Sequence, residues 1–256
     1  MKKIYTSDIY HVMSDPARQA AQIIIPLVLD LAPIRSVVDL GCGTGEWLSV
    51  FKELGVQKVF GVDGEWVDKK LLKIASDEFM THDLNRPLSL PDHFDLGVCL
   101  EVVGHIPEEN ADTLVDSLVS LAPLVLFSAP VLCQNPVGNL PVNNQWPEYW
   151  AARFKKRGYE TVDALRFKVW DEPRVQYYYS QNIFLYASQV ALDCFPRLKE
   201  VHRLNGGCAL PLIHPDLYAQ KVILEDFGLI GCLRMIRKLV FQLPKLVAQA
   251  VRRRLR

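Results

Sequence analysis

The pattern of apolar and polar positions breaks the chain into short buried runs alternating with amphipathic stretches. Residues 16–32 space their apolar side chains for one helix face. Ser36–Leu40 is a β-branched apolar run leading into glycines, and reads as a strand. Glu46–Leu54 reads as a helix ended near Gly55, and Val59–Val62 as a short buried strand stopping at Asp63. Val67–Ala75 reads as a helix, Phe79–Asp83 as a short strand and Phe94–Leu100 as a strand ending at Glu101. Helical spacing returns at Asn110–Leu121, where Leu114, Leu118 and Leu121 share a face, and Leu124–Ser128 is the next strand. Trp146–Lys156 is helical with Gly158 as its cap. Asn182–Ala187 is a late strand, with Tyr159–Val162 as its hairpin partner or an adjacent strand, while residues 195–220 show no clear period. Strands alternating with helices predict an α/β fold, a doubly wound and mostly parallel sheet.

Two regions depart from this rhythm. Ala129–Gln145 holds three prolines, four asparagines and a glycine. That is turn chemistry over a length that compact domains reserve for binding segments, so residues 129–150 are expected to form a lid. Near the C-terminus, Leu229, Leu233, Ile236, Val240 and Leu243 recur at helical spacing beside Arg234, Arg237 and Lys238, with Pro244 interrupting. The expected organisation is a domain over 1–190 and an extension over 191–256 carrying a basic amphipathic helix.

Charge sharpens that division. The 29 basic and 29 acidic residues cancel, which disfavours a nucleic-acid binder working by bulk electrostatics. Yet residues 227–256 hold eight basic side chains and no acidic one, so the rest carries −8. A cationic amphipathic stretch predicts peripheral contact with a membrane surface, or docking on a partner or on the domain itself. The six cysteines form no CxxC pair, so neither a zinc site nor a disulfide framework is expected, and they read as buried free thiols. Met1–Asp8 has lysines but no following apolar core, and the longest clean apolar run, Ile23–Leu29, is far short of the ~20 residues of a membrane span. A cytoplasmic location is expected, peripheral on the inner membrane face if the basic stretch binds lipid.

The most informative motif is Val37-Val-Asp-Leu-Gly-Cys-Gly-Thr-Gly45. A buried strand ends in Asp39, and three glycines at alternate positions let the backbone turn sharply and approach a ligand closely. The G-x-G-x-G spacing differs from the dinucleotide fingerprint G-x-G-x-x-G and favours another nucleoside. A second strand ends in Asp63, eighteen residues after Gly45, where a carboxylate can accept both hydroxyls of a ribose. Asp83 follows twenty residues later, placed to accept from an adenine amino group.

These residues resemble the class I S-adenosylmethionine-dependent methyltransferases, over roughly Arg18–Ser188, with Phe94–Pro107 similar to the family's fourth strand and following turn. The resemblance implies a seven-stranded sheet whose last strand is antiparallel. It implies that Asp39, Gly41, Cys42, Gly43 and Gly45 hold the methionine moiety, Asp63 and Gly64 the ribose, and Asp83 and Leu84 the adenine. Glu101 joins the cofactor set from the tip of the fourth strand, and Trp66 either covers the adenine or packs in the core.

At the reacting end, His105 is placed to take a proton from an acceptor hydroxyl. Asn143–Trp150, with Trp170 and Tyr177–Asn182, resembles a subset of these enzymes associated with glycan assembly. Aromatic rings stack on sugar C–H faces and amides bond hydroxyls, so Asn144, Gln145, Trp146 and Tyr149 are the acceptor-binding candidates. Trp146 and Trp150, four apart, are alternatively the buried face of a helix. Two positions depart from the related pattern: Gly104 stands where an acid is usual, and Pro141 where a histidine is usual. In some relatives such residues bind a divalent metal or move a proton; here no metal is expected. The expected activity is O-methylation of a sugar hydroxyl in a glycan or glycolipid. The rivals are methylation of a small-molecule or peptide natural product, and a non-catalytic cofactor-binding scaffold subunit.

Overall fold

A computed structural model describes residues 7–132, 134, 142–222, 233, 236 and 237, with the backbone alone at 7–14 and 220–222. The chain divides into two compact units, Met1–His214 and Pro215–Arg256. The first begins with α1 (Ser7–Leu31), β1 (Ser36–Leu40), α2 (Glu46–Glu53), β2 (Lys58–Asp63), β3 (Phe79–Thr81) and β4 (Leu96–Leu100). It continues with α3 (Ala111–Leu121), β5 (Leu124–Ser128), α4 (Pro147–Lys155), β6 (Tyr159–Val162), α5 (Arg166–Val169), α6 (Tyr177–Asn182), β7 (Phe184–Ser188), α7 (Gln189–Cys194) and α8 (Pro196–Asn205).

The strands form one seven-stranded sheet in the order β3-β2-β1-β4-β5-β7-β6. Only β7 runs against the others, pairing antiparallel with both β5 and β6. The sheet is buried on both faces, and alternate side chains feed two cores. Val37, Leu96, Val98, Leu124, Leu126 and Leu185 pack beneath α1 and α2, whose Ala20, Ile24, Val28, Leu48 and Phe51 are buried with them. Val38, Leu40, Val125, Phe127, Phe184 and Tyr186 face α3 and α4. In that second core Phe154 stacks on Tyr186 at 3.9 Å, and Trp150 packs against Phe127 at 5.3 Å.

This topology assembles the site. The carboxyl ends of β1, β2, β3, β4 and β5 all open at one edge of the sheet, as parallel strands must. Because β7 runs the other way, its beginning lies at that same edge, and with it the end of α6.

Most elements match the pattern of apolar positions, and β1 and β5 match to the residue. The stretch 67–75 is different: instead of an α-helix it holds a 3-10 turn at Lys69–Leu71, and a second turn follows at Ser76–Glu78. Asp68 caps the first turn through the Lys70 N–H, and Leu72 is extended. The Lys73 N–H then donates to the Thr44 carbonyl at 2.8 Å. A backbone that clasps the glycine loop cannot also make helical hydrogen bonds. Tyr159–Val162 is an adjacent antiparallel strand rather than a hairpin partner, since α5 and α6 intervene before β7.

The first compact unit also runs past residue 190. Arg166, fully buried, forms an ion pair with Asp163 at 2.5 Å and donates to the Leu210 carbonyl at 2.8 Å. Its guanidinium lies 4.2 Å over the Phe184 ring. Asn205 Nδ2 donates to the Asp163 carbonyl at 2.6 Å, which ties α8 to the same point. Of the described cysteines, Cys99 is buried and Cys42 half-buried, but Cys194 and Cys208 are exposed, contrary to expectation; all four are free thiols. Cys133, Cys232 and most of the lid's middle lie outside the described residues.

In the second unit, α9 spans Pro215–Val222, and Leu233, Ile236 and Arg237 are helical and exposed. The remainder of the basic stretch lies outside the described residues. Among the described residues no helix is long and apolar enough to cross a membrane.

Candidate active site

The glycine loop leaves β1 and enters α2 within five residues. Gly41, Gly43 and Gly45 all have positive φ, at 89°, 55° and 87°. Gly41 has a second constraint, since a Cβ there would overlap the Val102 side chain. The loop is pinned to β2 by the Gly41 N–H donating to the Val62 carbonyl at 2.7 Å. Cys42 packs its sulfur against Gly61. Asp39 is buried at the end of β1. Burial, and secondarily the charge of Asp63, push its carboxyl well above the usual carboxylate range, with no hydrogen bond among the described residues to offset them.

Asp63 ends β2 and closes the loop. Its Oδ2 accepts from the Gly43 N–H at 2.7 Å and its Oδ1 from the Gly64 N–H at 2.6 Å. Burial raises its pKa, and these two N–H groups and the Trp66 indole work in the opposite direction. With those three donors accounted for, the carboxylate keeps a lone pair for a ligand hydroxyl. Trp66 is 40% exposed, so it is not a core residue; its ring folds back over Gly64, where a Cβ would overlap it. Asp83 lies exposed just after β3 and holds its own turn, accepting from Asn85 Nδ2 at 2.8 Å and from the Asn85 N–H at 3.1 Å. Those bonds hold its carboxyl below the usual range. Leu84 is buried in the core shared with Val62 and Leu88.

At the tip of β4, Glu101 adopts φ 58°, left-handed for a residue with a side chain. Such a conformation costs about 1–2 kcal/mol and persists where surrounding contacts enforce it. The Glu101 N–H donates to the Ser128 carbonyl at 3.1 Å and to Ser128 Oγ at 3.0 Å. Its carboxylate accepts from Gln134 Nε2 at 2.7 Å and from Asn182 Nδ2 at 3.1 Å. Asn182 also donates to Gln134 Oε1 at 2.9 Å and accepts from Gln181 Nε2 at 2.8 Å. Gln181 Oε1 in turn accepts the His214 N–H at 2.7 Å. The network therefore joins β4, the lid, α6 and the far end of the unit. Burial pushes Glu101 up to about 7 despite the opposing hydrogen bonds of Asn182, Ser128 and Gln134.

His105 ends a 3-10 turn, Val103–His105, and is half-buried; burial makes its ring less basic than usual. Gly104 has a structural reason to lack a side chain: a Cβ would stand 2.5 Å from Pro130 Cγ. The Gly104 carbonyl accepts from Val142 N–H at 2.8 Å, which brings the lid's second stem onto this turn. Pro141 lies outside the described residues.

On that stem, Asn143 is buried and its Oδ1 accepts from Gln145 Nε2 at 3.1 Å. Asn144 Nδ2 donates to the Gln134 carbonyl at 2.5 Å. Among the described residues, Asn143 Nδ2, Asn144 Oδ1 and the Tyr149 hydroxyl are buried without a partner in hydrogen-bonding geometry. Trp146 is 37% exposed whereas Trp150 is core, which decides between the two readings of that pair. Tyr149 stacks on the Arg153 guanidinium at 3.6 Å. Among the described residues, no three His, Cys, Asp or Glu side chains converge as a metal site.

A family model of a methyltransferase domain matches residues 11–170. The chain belongs to this methyltransferase family. It is the class I, S-adenosylmethionine-dependent family that the glycine motif resembles, and S-adenosylmethionine is the family's cofactor. The residues fit that group: three left-handed glycines leave backbone uncovered, and Asp39 is a buried carboxyl with no donor among the described residues, suited to a cation. A curated relative, the chloroplastic magnesium protoporphyrin IX methyltransferase of Arabidopsis thaliana, is 29% identical over 143 residues, 50% of this chain and 46% of the relative. The chain thus spans about half the length of that relative. Among solved structures, a sugar N-methyltransferase from Streptoalloteichus is similar with TM-score 0.55 and 15% identity, covering 73% of this chain and 94% of its own. A plantazolicin methyltransferase is similar with TM-score 0.50 and 15% identity, covering 72% and 89%. At these identities the likeness is one of fold.

The sequence singled out Glu101 but not its partner Gln134, which stands in the lid among turn residues. It grouped Gln181 and Asn182 with the aromatic run as sugar-binding amides. Both are buried and spend their hydrogen bonds inside the protein.

Proposed function

We propose that this methyltransferase-family chain transfers the methyl group of S-adenosylmethionine to a hydroxyl of a sugar, in a glycan or glycolipid. In this reading Asp39 and the loop Gly41–Gly45 receive the amino-acid end of the cofactor. Asp63 accepts from the ribose hydroxyls, Gly64 and Trp66 line the nucleoside, and Asp83 and Leu84 border the adenine. When bound, the cofactor supplies a methyl group already activated by its sulfonium, so the protein's task is to place the acceptor in line and exclude water.

The observation that carries the acceptor class is the lid stem. Among the described residues, Asn143 Nδ2, a donor, and Asn144 Oδ1, an acceptor, are buried beside the His105 turn without a partner in hydrogen-bonding geometry. Each such atom costs about 1–3 kcal/mol while unpaired. A sugar hydroxyl both donates and accepts, and Asn144, Gln145, Trp146 and Tyr149 add amides and ring faces of the kind that bind sugars. The test is formation of S-adenosylhomocysteine with a panel of nucleotide sugars and oligosaccharides, against porphyrin and peptide acceptors. Turnover on sugars alone supports the reading. Turnover only on a porphyrin or peptide replaces the acceptor, and cofactor binding with no turnover on any acceptor favours a scaffold role.

A second reading concerns location. Leu233 and Ile236 are each helical and exposed, and Arg237 follows Ile236. We propose that the basic stretch contacts an anionic membrane surface, each Lys or Arg near it contributing about 1 kcal/mol. Removing residues 229–256 then abolishes binding to anionic vesicles and leaves cofactor affinity intact. Full-length protein that ignores such vesicles at low salt overturns this.

A further inference from the structure

Transfer to a hydroxyl releases a proton, and the proton needs a destination. Position 104, on the turn after β4, has no room for a side chain against Pro130. His105 is on the same turn, beyond the sheet edge, and burial has reduced its basicity. The other titratable group at this end of β4 is Glu101.

We propose that Glu101 is the proton acceptor of methyl transfer, a carboxylate held at the reacting centre by amides from the lid and from α6. Four observations place it there. It ends β4, the strand beside β1, whose own end carries the glycine loop. Its neighbour Val102 fills the space against Gly41 that a Cβ would take. Its backbone is held at φ 58° by the Ser128 carbonyl and hydroxyl, a strain that fixes the carboxylate's direction. Gln134 and Asn182 each give one N–H to a different carboxylate oxygen, which leaves further lone pairs free to receive a proton. The inference rests on the cofactor reading above.

The step balances. As the acceptor oxygen bonds to the methyl carbon, the carbon–sulfur bond breaks and its electron pair stays on sulfur. The hydroxyl proton passes to Glu101, and the O–H pair remains on oxygen. A carboxylate and a sulfonium become a carboxylic acid and a thioether, so one buried charge pair disappears. A low-dielectric site favours that neutralisation.

Among the described residues, the groups facing Glu101 bring no positive charge of their own. Ser128, Gln134 and Asn182 are neutral donors. Tyr178 and Tyr179 from α6 are phenols pushed up by burial, the first to about 12, with Glu101 adding to the effect. Cys99 beneath it is a buried thiol also raised by burial, and Asp39 and Asp63 act on that thiol alongside Glu101. Glu101 itself, at about 7, changes its charge within the working range of an enzyme.

The test needs no acceptor. The full chain is titrated calorimetrically with S-adenosylmethionine and with S-adenosylhomocysteine from about pH 6 to about pH 8. The two ligands share an amino-acid end, so its ionisation cancels in the ratio of affinities; only the sulfonium charge differs. We expect preference for S-adenosylmethionine to rise about tenfold across this range as Glu101 ionises, and Glu101→Gln to flatten it. Should Glu101→Gln fold poorly, Asn182→Ala removes one donor to the carboxylate and moves the midpoint to higher pH. A ratio independent of pH in the unaltered protein overturns the proposal. So does a dependence that survives Glu101→Gln, or one that His105→Ala abolishes. If the ratio follows pH as expected and no sugar is methylated, Glu101 stands and only the sugar reading falls. If neither ligand binds, the cofactor reading fails and takes this inference with it.

Discussion

The two halves of the site are built by different means. On the β1–β2 side, one contiguous loop and one strand end make the geometry, and backbone N–H groups do the holding: Gly43 and Gly64 to Asp63, Gly41 to Val62. On the β4–β7 side, side-chain amides do it. Glu101, Gln134 and Asn182 meet from positions up to 81 residues apart, and Arg166 locks the outer segment to β6 from beneath. Backbone geometry tolerates only residues compatible with it, so the first half writes itself into a short motif. A side-chain network can be assembled from any elements the fold brings together, so the second half leaves no motif.

The comparison can be broken from either side. The largest effect is expected on the amide side's foundation. Arg166→Ala leaves Asp163 buried without its cation and the Leu210 carbonyl without a donor, and should cost about 3–5 kcal/mol of stability by chemical denaturation. Next is Gly41→Ala. A left-handed φ and overlap with Val102 together should cost about 2–3 kcal/mol, with cofactor affinity falling in parallel. The outcome that would separate the halves differently is a stable Gly41→Ala protein with unaltered binding. Asp63→Ala should weaken S-adenosylmethionine binding by about 1.5–3 kcal/mol while the amide network stays intact, as calorimetry on the folded variant can show.

Smaller effects sharpen the same contrast. Glu101 has its pKa raised from 4.5 to about 7, so the folded protein binds more protons than the unfolded one between those values. Stability should therefore decline as pH rises through that window, by about 3–3.5 kcal/mol at most from this group. Glu101→Gln should flatten that slope, and denaturation at three or more pH values would measure it. His105→Ala should lower turnover less than tenfold once an acceptor is in hand. A loss of about 10²–10⁴ would instead restore the imidazole as proton acceptor.

Much of the fold was legible because buried parallel strands are continuous apolar runs that end at a chain breaker, Gly41 after Ser36–Leu40 and Pro123 and Pro130 around Leu124–Ser128. The segment 67–75 was not, because its helical spacing of apolar residues competes with the backbone bond from Lys73 to Thr44, which periodicity does not encode. Trp146 and Trp150 were indistinguishable by spacing; only packing against Phe127 placed one inside. Gly104 was visible, but the Pro130 ring that leaves no room for a side chain there was not.

By itself, then, the sequence determined the α/β order, the glycine loop and the acids at the strand ends, since each depends on residues adjacent along the chain or on backbone conformations few residues adopt. The tertiary structure alone decided which polar groups are satisfied. Reversal of β7 carries Asn182 to the edge where β4 ends, burial there raises Glu101, and the lid's Gln134 completes the set. Burial and hydrogen bonding are properties of elements brought together across the sheet, so no local pattern of residues records them.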